Sequence, residues 1–420
     1  MKTNNLFRMI VLTAFFISCM FFNRNVKAQS VKGADLSWVT QMEASGYIWK
    51  DVDGKQKDIF LICKNLGFNS CRLRVWVNPS DGWCGKTDVI NKAKRAKAQG
   101  MSIYVAFHLS DSWADPSKQN PPAAWKNYTV SQMQTAISTH VKDVLNGLKS
   151  AGITPWFIQI GNETNDGLLW PLGKASTNPA NYAAFIKAGY DAAKSVFPGT
   201  AVGVHVSNMY DVSLWKWNFG ILKNNGVSWD FCAGSLYPST TDYATKISQA
   251  KTTVSTMKSQ FGKWCIVAEF GIAANSGTTG ADAVKQSRTI CDNWYYWEPE
   301  AYNWQGYGLH AWDWNTKQPS VILTSGLKSA TVDEITGINN SEISLNLFPN
   351  PCDGNNLTVE LEGINDFTYI RILSLSGSIL YTFKTNQSIK LQNLNLESGT
   401  YFVQIENPQF KELRSLIVLK

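Results

Sequence analysis

Two short apolar runs in this sequence each close on a glutamate. Ile158-Gln159-Ile160-Gly161-Asn162-Glu163 and Cys265-Ile266-Val267-Ala268-Glu269-Phe270-Gly271 read as strands that carry Glu163 and Glu269 near their C-terminal ends. Two carboxylates brought together from separate strands, one protonated and one ionised, suit acid/base cleavage of a glycosidic bond. Asn162, beside Glu163, is placed to hydrogen-bond a sugar hydroxyl next to the reacting carbon. Arg74 and Tyr237 end two other strand-like runs and are candidates for keeping Glu269 ionised. His108 sits near the end of a further run with Asp111 close by, a position from which an imidazole can serve chemistry. The plainer alternatives are a buried structural arginine at Arg74 and a satisfied core histidine at His108.

These side chains need a scaffold that gathers strand ends. Residues 33–38, 70–76, 102–109, 156–163, 201–206, 231–237, 264–271 and 307–314 are strand-like, and helix-like stretches alternate with them. Val130, Met133, Ile137, Val141, Val144 and Leu148 form one helical stripe, with Gly152 as a stop. Residues 88–99, followed by Gly100, and 181–197 read as helices too. Eight such units fit a (β/α)8 TIM barrel, whose chemistry gathers at the C-terminal strand ends. An open doubly wound sheet is the alternative; the first strand lacks the Gly-rich phosphate loop that would favour it. Alternation along each strand lets Glu163, from strand four, and Glu269, from strand seven, share one central cleft.

The texture changes after Trp314. Residues 326–342 read as a linker, and 343–420 hold short alternating runs broken by turn signals, the pattern of a small antiparallel β-sandwich. All 17 tryptophans fall between Trp38 and Trp314, so the tail has no indole to offer a sugar. Within the barrel, Trp38, Trp113, Trp125, Trp312 and Trp314 lie at or just after strand ends, where an indole can stack on a pyranose face. Trp113 and Trp312 are the foremost candidates.

Lys2 and Arg8 precede an apolar stretch too short to span a bilayer, and Val26-Lys27-Ala28 offers a small-residue cleavage site, so residues 1–28 read as an export signal. Lipid attachment at Cys19 is disfavoured because the apolar run continues past it. Loss of Lys2, Arg8, Arg24 and Lys27 lowers the net charge from +7 to +3, which makes no case for nucleic acid or an anionic membrane as partner. No further segment looks membrane-spanning. Seven cysteines then remain, an odd number without CxxC spacing; an oxidising destination permits a disulfide or two without assigning them. No cofactor is expected.

The run 107–119, Phe-His-Leu-Ser-Asp-Ser-Trp-Ala-Asp-Pro-Ser-Lys-Gln, closely resembles a signature of glycoside hydrolase family 53, the endo-β-1,4-galactanases. Gly33-Ala34-Asp35-Leu36-Ser37, Arg72-Leu73-Arg74-Val75-Trp76, Ile160-Gly161-Asn162-Glu163 and the Glu269 run resemble it as well, in the same order. The resemblance implies a (β/α)8 enzyme cutting the β-1,4-galactan of pectin side chains with retention, Glu163 being the acid/base and Glu269 the nucleophile. It also implies a polar network through Arg74, His108, Asn162 and Tyr237. Leu109 and Leu236 stand where the family usually has aromatics. The loop 272–280 contains no Asp or Glu, so the calcium that some relatives hold after strand seven is not expected. The same two-glutamate barrel serves other plant polysaccharides, and a barrel that has lost its chemistry would be a surface glycan-binding protein; both remain alternatives at this point.

The tail resembles a second family. Leu345-Asn346-Leu347-Phe348-Pro349-Asn350-Pro351, Ser374-Leu375-Ser376-Gly377 and the run 394–402 are similar to the C-terminal sorting domain of the bacterial type IX secretion system. That implies engagement of an outer-membrane secretion machinery and a secreted or surface-attached product.

Overall fold

The computed structural model describes residues 30–328, 344–362, 367–374, 378–406 and 411–420. The expected export signal, residues 1–28, and residues 329–342 of the expected linker lie outside these. The chain divides into two compact units between Leu327 and Lys328.

The first unit is a closed barrel of eight parallel strands in sequence order. They are β1 (Val31–Asp35), β2 (Ser70–Val75), β3 (Ser102–Phe107), β4 (Phe157–Ile160), β5 (Ala201–Val206), β6 (Phe231–Leu236), β7 (Trp264–Phe270) and β8 (Asn293–Trp297). Seven strands fall where the apolar runs place them. The eighth does not: residues 307–314 form irregular chain with one bridge from Trp312 to Pro319, and the barrel closes on the earlier run Asn293-Trp294-Tyr295-Tyr296-Trp297. Four consecutive aromatics mask the alternation in that run, yet Trp294 and Tyr296 face outward while Tyr295 fills the lumen.

Helices cover the barrel because each presents one apolar face. The longest of those between strands, Val130–Ser150, starts with a capping box in which the Thr129 hydroxyl and the Gln132 side chain each accept the other's backbone N–H. Its buried stripe is Met133, Ile137, Val141, Val144, Leu145 and Leu148, and the chain leaves it through Gly152 in the left-handed region, at φ 69°.

The lumen has an apolar lower part and a charged upper part. Tyr104, Phe157, Phe231, Ala233, Ile266, Ala268 and Tyr295 pack the lower layers. Gly33 makes room for them, since a Cβ there would lie 2.0 Å from the Tyr295 ring. Above this floor, Asp35, Arg72, Gln159, His205, Ser235 and Glu269 are all buried and polar.

The second unit has its own core. Strands β9 (Ser344–Phe348), β10 (Leu357–Glu362) and β13 (Ile389–Leu391) form one antiparallel sheet, ordered β13-β10-β9. The other, ordered β12-β11-β14-β15, uses β11 (Thr368–Leu373), β12 (Ile379–Thr385), β14 (Gly399–Glu406) and β15 (Lys411–Val418). Val359, Leu361, Ile370, Ile372, Leu391, Val403, Ile405, Leu416 and Val418 are buried in one cluster shared by the two sheets. Strand β12 escapes sequence pattern because Ile379 and Leu380 are exposed rather than alternating inward. All seven described cysteines are free thiols, six of them buried.

Candidate active site

Both glutamates reach the lumen through departures from regular strand geometry. Along β7, Trp264, Ile266 and Ala268 point inward, so strict alternation would turn Glu269 outward. A bulge between the Gly234–Val267 and Ser235–Glu269 pairs resets the register and brings Glu269 into the lumen beside Ser235. Strand β4 ends at Ile160, and the chain then turns with Gly161 at φ 78° and Glu163 at φ 46°. The second of these is a left-handed backbone at a non-glycine residue, a strained geometry that clusters at functional sites.

Arg72, rather than Arg74, holds the candidate nucleophile. Its guanidinium is fully buried, bonding Asp35 Oδ2 at 2.6 Å and Glu269 Oε1 at 2.8 Å, with further donation to Gln159 and Asn162 at 3.1 Å each. On the other carboxylate oxygen, Glu269 accepts from Tyr237 Oη at 2.7 Å and from Ser235 Oγ at 3.3 Å. An ion pair and two hydroxyl donors thus stabilise negative charge there. Burial and the neighbouring carboxylate push the Tyr237 phenol well above its ordinary pKa, so it remains a donor.

Glu163 has the opposite surroundings. Burial, and next the charge of Glu269, push its pKa up from 4.5 to about 8, making it the protonated member of the pair at neutral pH. One carboxylate oxygen of Glu163, one of Glu269 and one ring nitrogen of His205 lie within 4.8 Å of one another. His205 is fully buried; Nδ1 is 2.9 Å from Asn162 Oδ1 and Nε2 is 2.9 Å from Ser235 Oγ. Burial and Arg72 hold its pKa well below the usual imidazole range, so it is a neutral spacer that orients Asn162 and Ser235. His205 and Glu269 already have these partners, so the group suits acid/base chemistry between the two carboxyls better than an open metal-ligand set.

Glu163 and Glu269 open into a cleft of about 310 Å³ lined also by His108, Trp113, Asp115, Asn162, Tyr237 and Trp297. His108 is buried and neutral, and neither ring nitrogen has a hydrogen-bond partner. A buried imidazole with two unused polar atoms at a cleft wall suits a sugar hydroxyl. Asn162 donates to Ala114 O at 2.9 Å, and Gln119 donates to Asn162 O at 2.8 Å, so the signature run 107–119 locks the turn that presents Glu163.

Three sequence-level candidates sit elsewhere. Arg74 lies behind the cleft wall, ion-paired to Glu298, with its guanidinium 4.5 Å from the Trp113 ring centroid, 5.1 Å from Trp38 and 5.2 Å from Trp76. It orders an indole platform instead of touching Glu269, because it projects from β2 one inward position beyond Arg72. Asp111 braces loops, accepting the backbone N–H groups of Asn78 and Ala123 at 2.9 Å each. Trp312 is only 1% exposed and is packed in the core, so it offers no face to a sugar. Trp297 supplies the second indole of the cleft, 5.2 Å from Trp38 and 6.1 Å from Trp113 between ring centroids.

Sequence reasoning passed over Asp35, Arg72, Gln159, His205, Ser235, Trp297 and Glu298. The inward parity of β2 includes Arg72 as well as Arg74, so that signal was present. Trp297 and Glu298 were hidden by the misplacement of the eighth strand.

Residues 31–294 match the family model for glycosyl hydrolase family 53. The chain belongs to this family. As a family 53 chain it is 34% identical over 272 residues to a probable arabinogalactan endo-β-1,4-galactanase A of Neosartorya fischeri, a match covering 62% of this chain and 74% of that one. An arabinogalactan endo-β-1,4-galactanase of Thermothelomyces thermophilus is 34% identical over 248 residues, covering 58% and 74%. Among solved structures, a fungal β-1,4-galactanase superposes with a TM-score of 0.66 at 27% identity, covering 71% of this chain and 99% of that one. The family 53 catalytic domain of Ignisphaera aggregans gives 0.64 at 25% identity, covering 72% and 97%. The family 53 barrel is followed by a second match, residues 346–419, to the secretion system C-terminal sorting domain, which directs a chain to the cell surface or out of the cell. Among the described residues no helix is long and apolar enough to cross a membrane.

Proposed function

We propose that this family 53 chain is a secreted endo-β-1,4-galactanase acting on type I arabinogalactan, the galactan side chains of pectin, by double displacement. Glu163 is the acid/base and Glu269 the nucleophile. The observation that carries the mechanism is the closeness of the two carboxyls, with one oxygen of each within 4.8 Å of the other. A retaining pair stands about 5 to 5.5 Å apart, whereas an inverting pair needs about 6.5 to 9.5 Å to admit a water.

In the first step Glu269 attacks the anomeric carbon while Glu163 gives its proton to the departing glycosidic oxygen. Glycosylation neutralises Glu269, which removes the charge that helped to raise the Glu163 pKa. Glu163, now ionised, takes a proton from water, and the water releases the sugar with net retention. Asn162 and His108 are positioned for hydroxyls of the sugar at the reacting centre, and Trp113 and Trp297 for its apolar faces. The sorting domain passes the folded enzyme to an outer-membrane secretion machinery.

Reducing-end release from galactan, compared between wild type and Glu269→Ala, tests the assignment. Activity lost in the variant and partly restored by azide, with a galactosyl azide of inverted configuration as product, is the expected result. Equal activity in both proteins would refute the nucleophile. Galactan bound in calorimetry by the wild type without product would leave a glycan-binding barrel in place of an enzyme.

A further inference from the structure

The opposite, N-terminal end of the barrel holds a larger cavity than the active-site cleft, about 700 Å³. Packing of the barrel end explains an apolar floor there, and Phe157 and Phe231, 8% and 0% exposed, already provide one. It does not explain two indoles left open to solvent in the same cavity wall. Trp156 is 50% exposed and Trp264 is 36% exposed, whereas Trp215, Trp294 and Trp312 are fully buried. Trp264 is fixed in place by stacking on Phe231, with centroids 4.9 Å apart, and by leaning on Phe157 at 5.7 Å.

The charge of the lining is unbalanced. Among the described residues of the lining, Lys258 and Lys263 face the cavity against one acid, Asp292. Lys263 stands 5.1 Å over the Trp229 ring, which gives its ammonium a defined position.

Flat indoles beside ammonium groups match a pyranose ring that bears a carboxylate: the ring face stacks while the carboxylate pairs with lysine. We infer that this face is a second, non-catalytic binding site for a uronate-bearing polysaccharide segment. The inference rests on the indoles and lysines of the cavity and on the sorting domain that sends this glycosyl hydrolase out of the cell, and is independent of the galactan reading of the cleft. Its effect would be to hold the enzyme against an acidic polymer while the cleft at the other end works on a neutral chain.

Binding of oligogalacturonate to the full chain, carrying Glu269→Ala to prevent turnover, is measured by calorimetry at low and high salt. Galacto-oligosaccharide and a single-stranded oligonucleotide serve as neutral and polyanionic comparisons. Oligogalacturonate should bind, with affinity reduced about ten-fold by Trp156→Ala, by a comparable factor in the double variant Lys258→Glu/Lys263→Glu, and by raised salt. In the otherwise wild-type protein, the same substitutions should leave galactan hydrolysis and melting temperature unchanged. The inference is overturned if oligogalacturonate does not bind, if binding ignores both variants, or if the oligonucleotide binds equally well. It is also overturned if light scattering shows a dimer that Trp156→Ala dissociates, since the face would then be occupied by a second copy. Loss of galactan hydrolysis in Glu269→Ala is read separately, so failure at one end of the barrel leaves the other assignable.

Discussion

Replacing Glu163 by glutamine removes an ionisable group that the fold holds at a cost rising with pH. Burial and the charge of Glu269 raise its pKa from 4.5 to about 8. A group with a higher pKa folded than unfolded contributes its stability in full below the unfolded value, and that contribution is lost as pH climbs to the folded one. At 1.36 kcal/mol per pH unit, the displacement corresponds to about 5 kcal/mol lost by pH 8, with about 3 kcal/mol gone at pH 7. These are upper figures, because cleft water reaches part of the carboxyl. Glutamine cannot ionise, so Glu163→Gln should match the wild type near pH 4.5 and become increasingly more stable than it up to pH 8, while losing the proton donor. Urea melts at a series of pH values, followed by tryptophan fluorescence, suit the measurement. All 17 tryptophans precede residue 315, so the signal reports the barrel alone. The wild-type rate on galactan should fall along an alkaline limb near the same pH. A stability difference that stays flat between pH 4.5 and 8 would refute the environment assigned to Glu163.

Removing Arg72 would leave Asp35 and Glu269 buried without their cation. Arg72→Met should therefore lose about 3 to 5 kcal/mol in a urea melt and nearly all galactan hydrolysis, with Arg72→Lys intermediate because an ammonium cannot fork between both carboxylates. Glu298→Gln releases Arg74 from its ion pair and loosens the indoles it orders, so KM for galactan should rise about five-fold with kcat nearly unchanged; an equal fall in kcat would show a direct part in the chemistry. Trp312→Ala should lower stability by about 3 to 5 kcal/mol without altering KM, whereas Trp113→Ala should reduce kcat/KM by about ten-fold, a separation that calorimetry and steady-state kinetics can read together.

The barrel architecture, the order of the strands from β1 to β7 and the antiparallel sheets of the tail were legible because each rests on local pattern. Apolar runs mark strands, a 3.6-residue stripe marks the helix Val130–Ser150, and the concentration of tryptophan before residue 315 separates barrel from tail. The final strand was not legible, because both faces of Asn293-Trp294-Tyr295-Tyr296-Trp297 are aromatic and give no alternation, while 307–314 imitates a strand but pairs with no strand of the barrel.

Residue types alone determined that two carboxylates, an asparagine, a histidine and a tyrosine would be available at strand ends for glycosidic chemistry. Tertiary structure decided which of them meet. Strand periodicity gives the face of a residue but neither its depth in the lumen nor the place of a bulge. Depth put Arg72 on Glu269 and left Arg74 one layer higher among indoles. The bulge on β7, set by pairing with a strand about 30 residues earlier in the chain, turned Glu269 inward where alternation would have turned it out. Burial and the proximity of a second carboxylate, which exist only once the barrel closes, then raised the pKa of Glu163 and set it apart from Glu269, the difference on which the proposed acid and nucleophile roles rest.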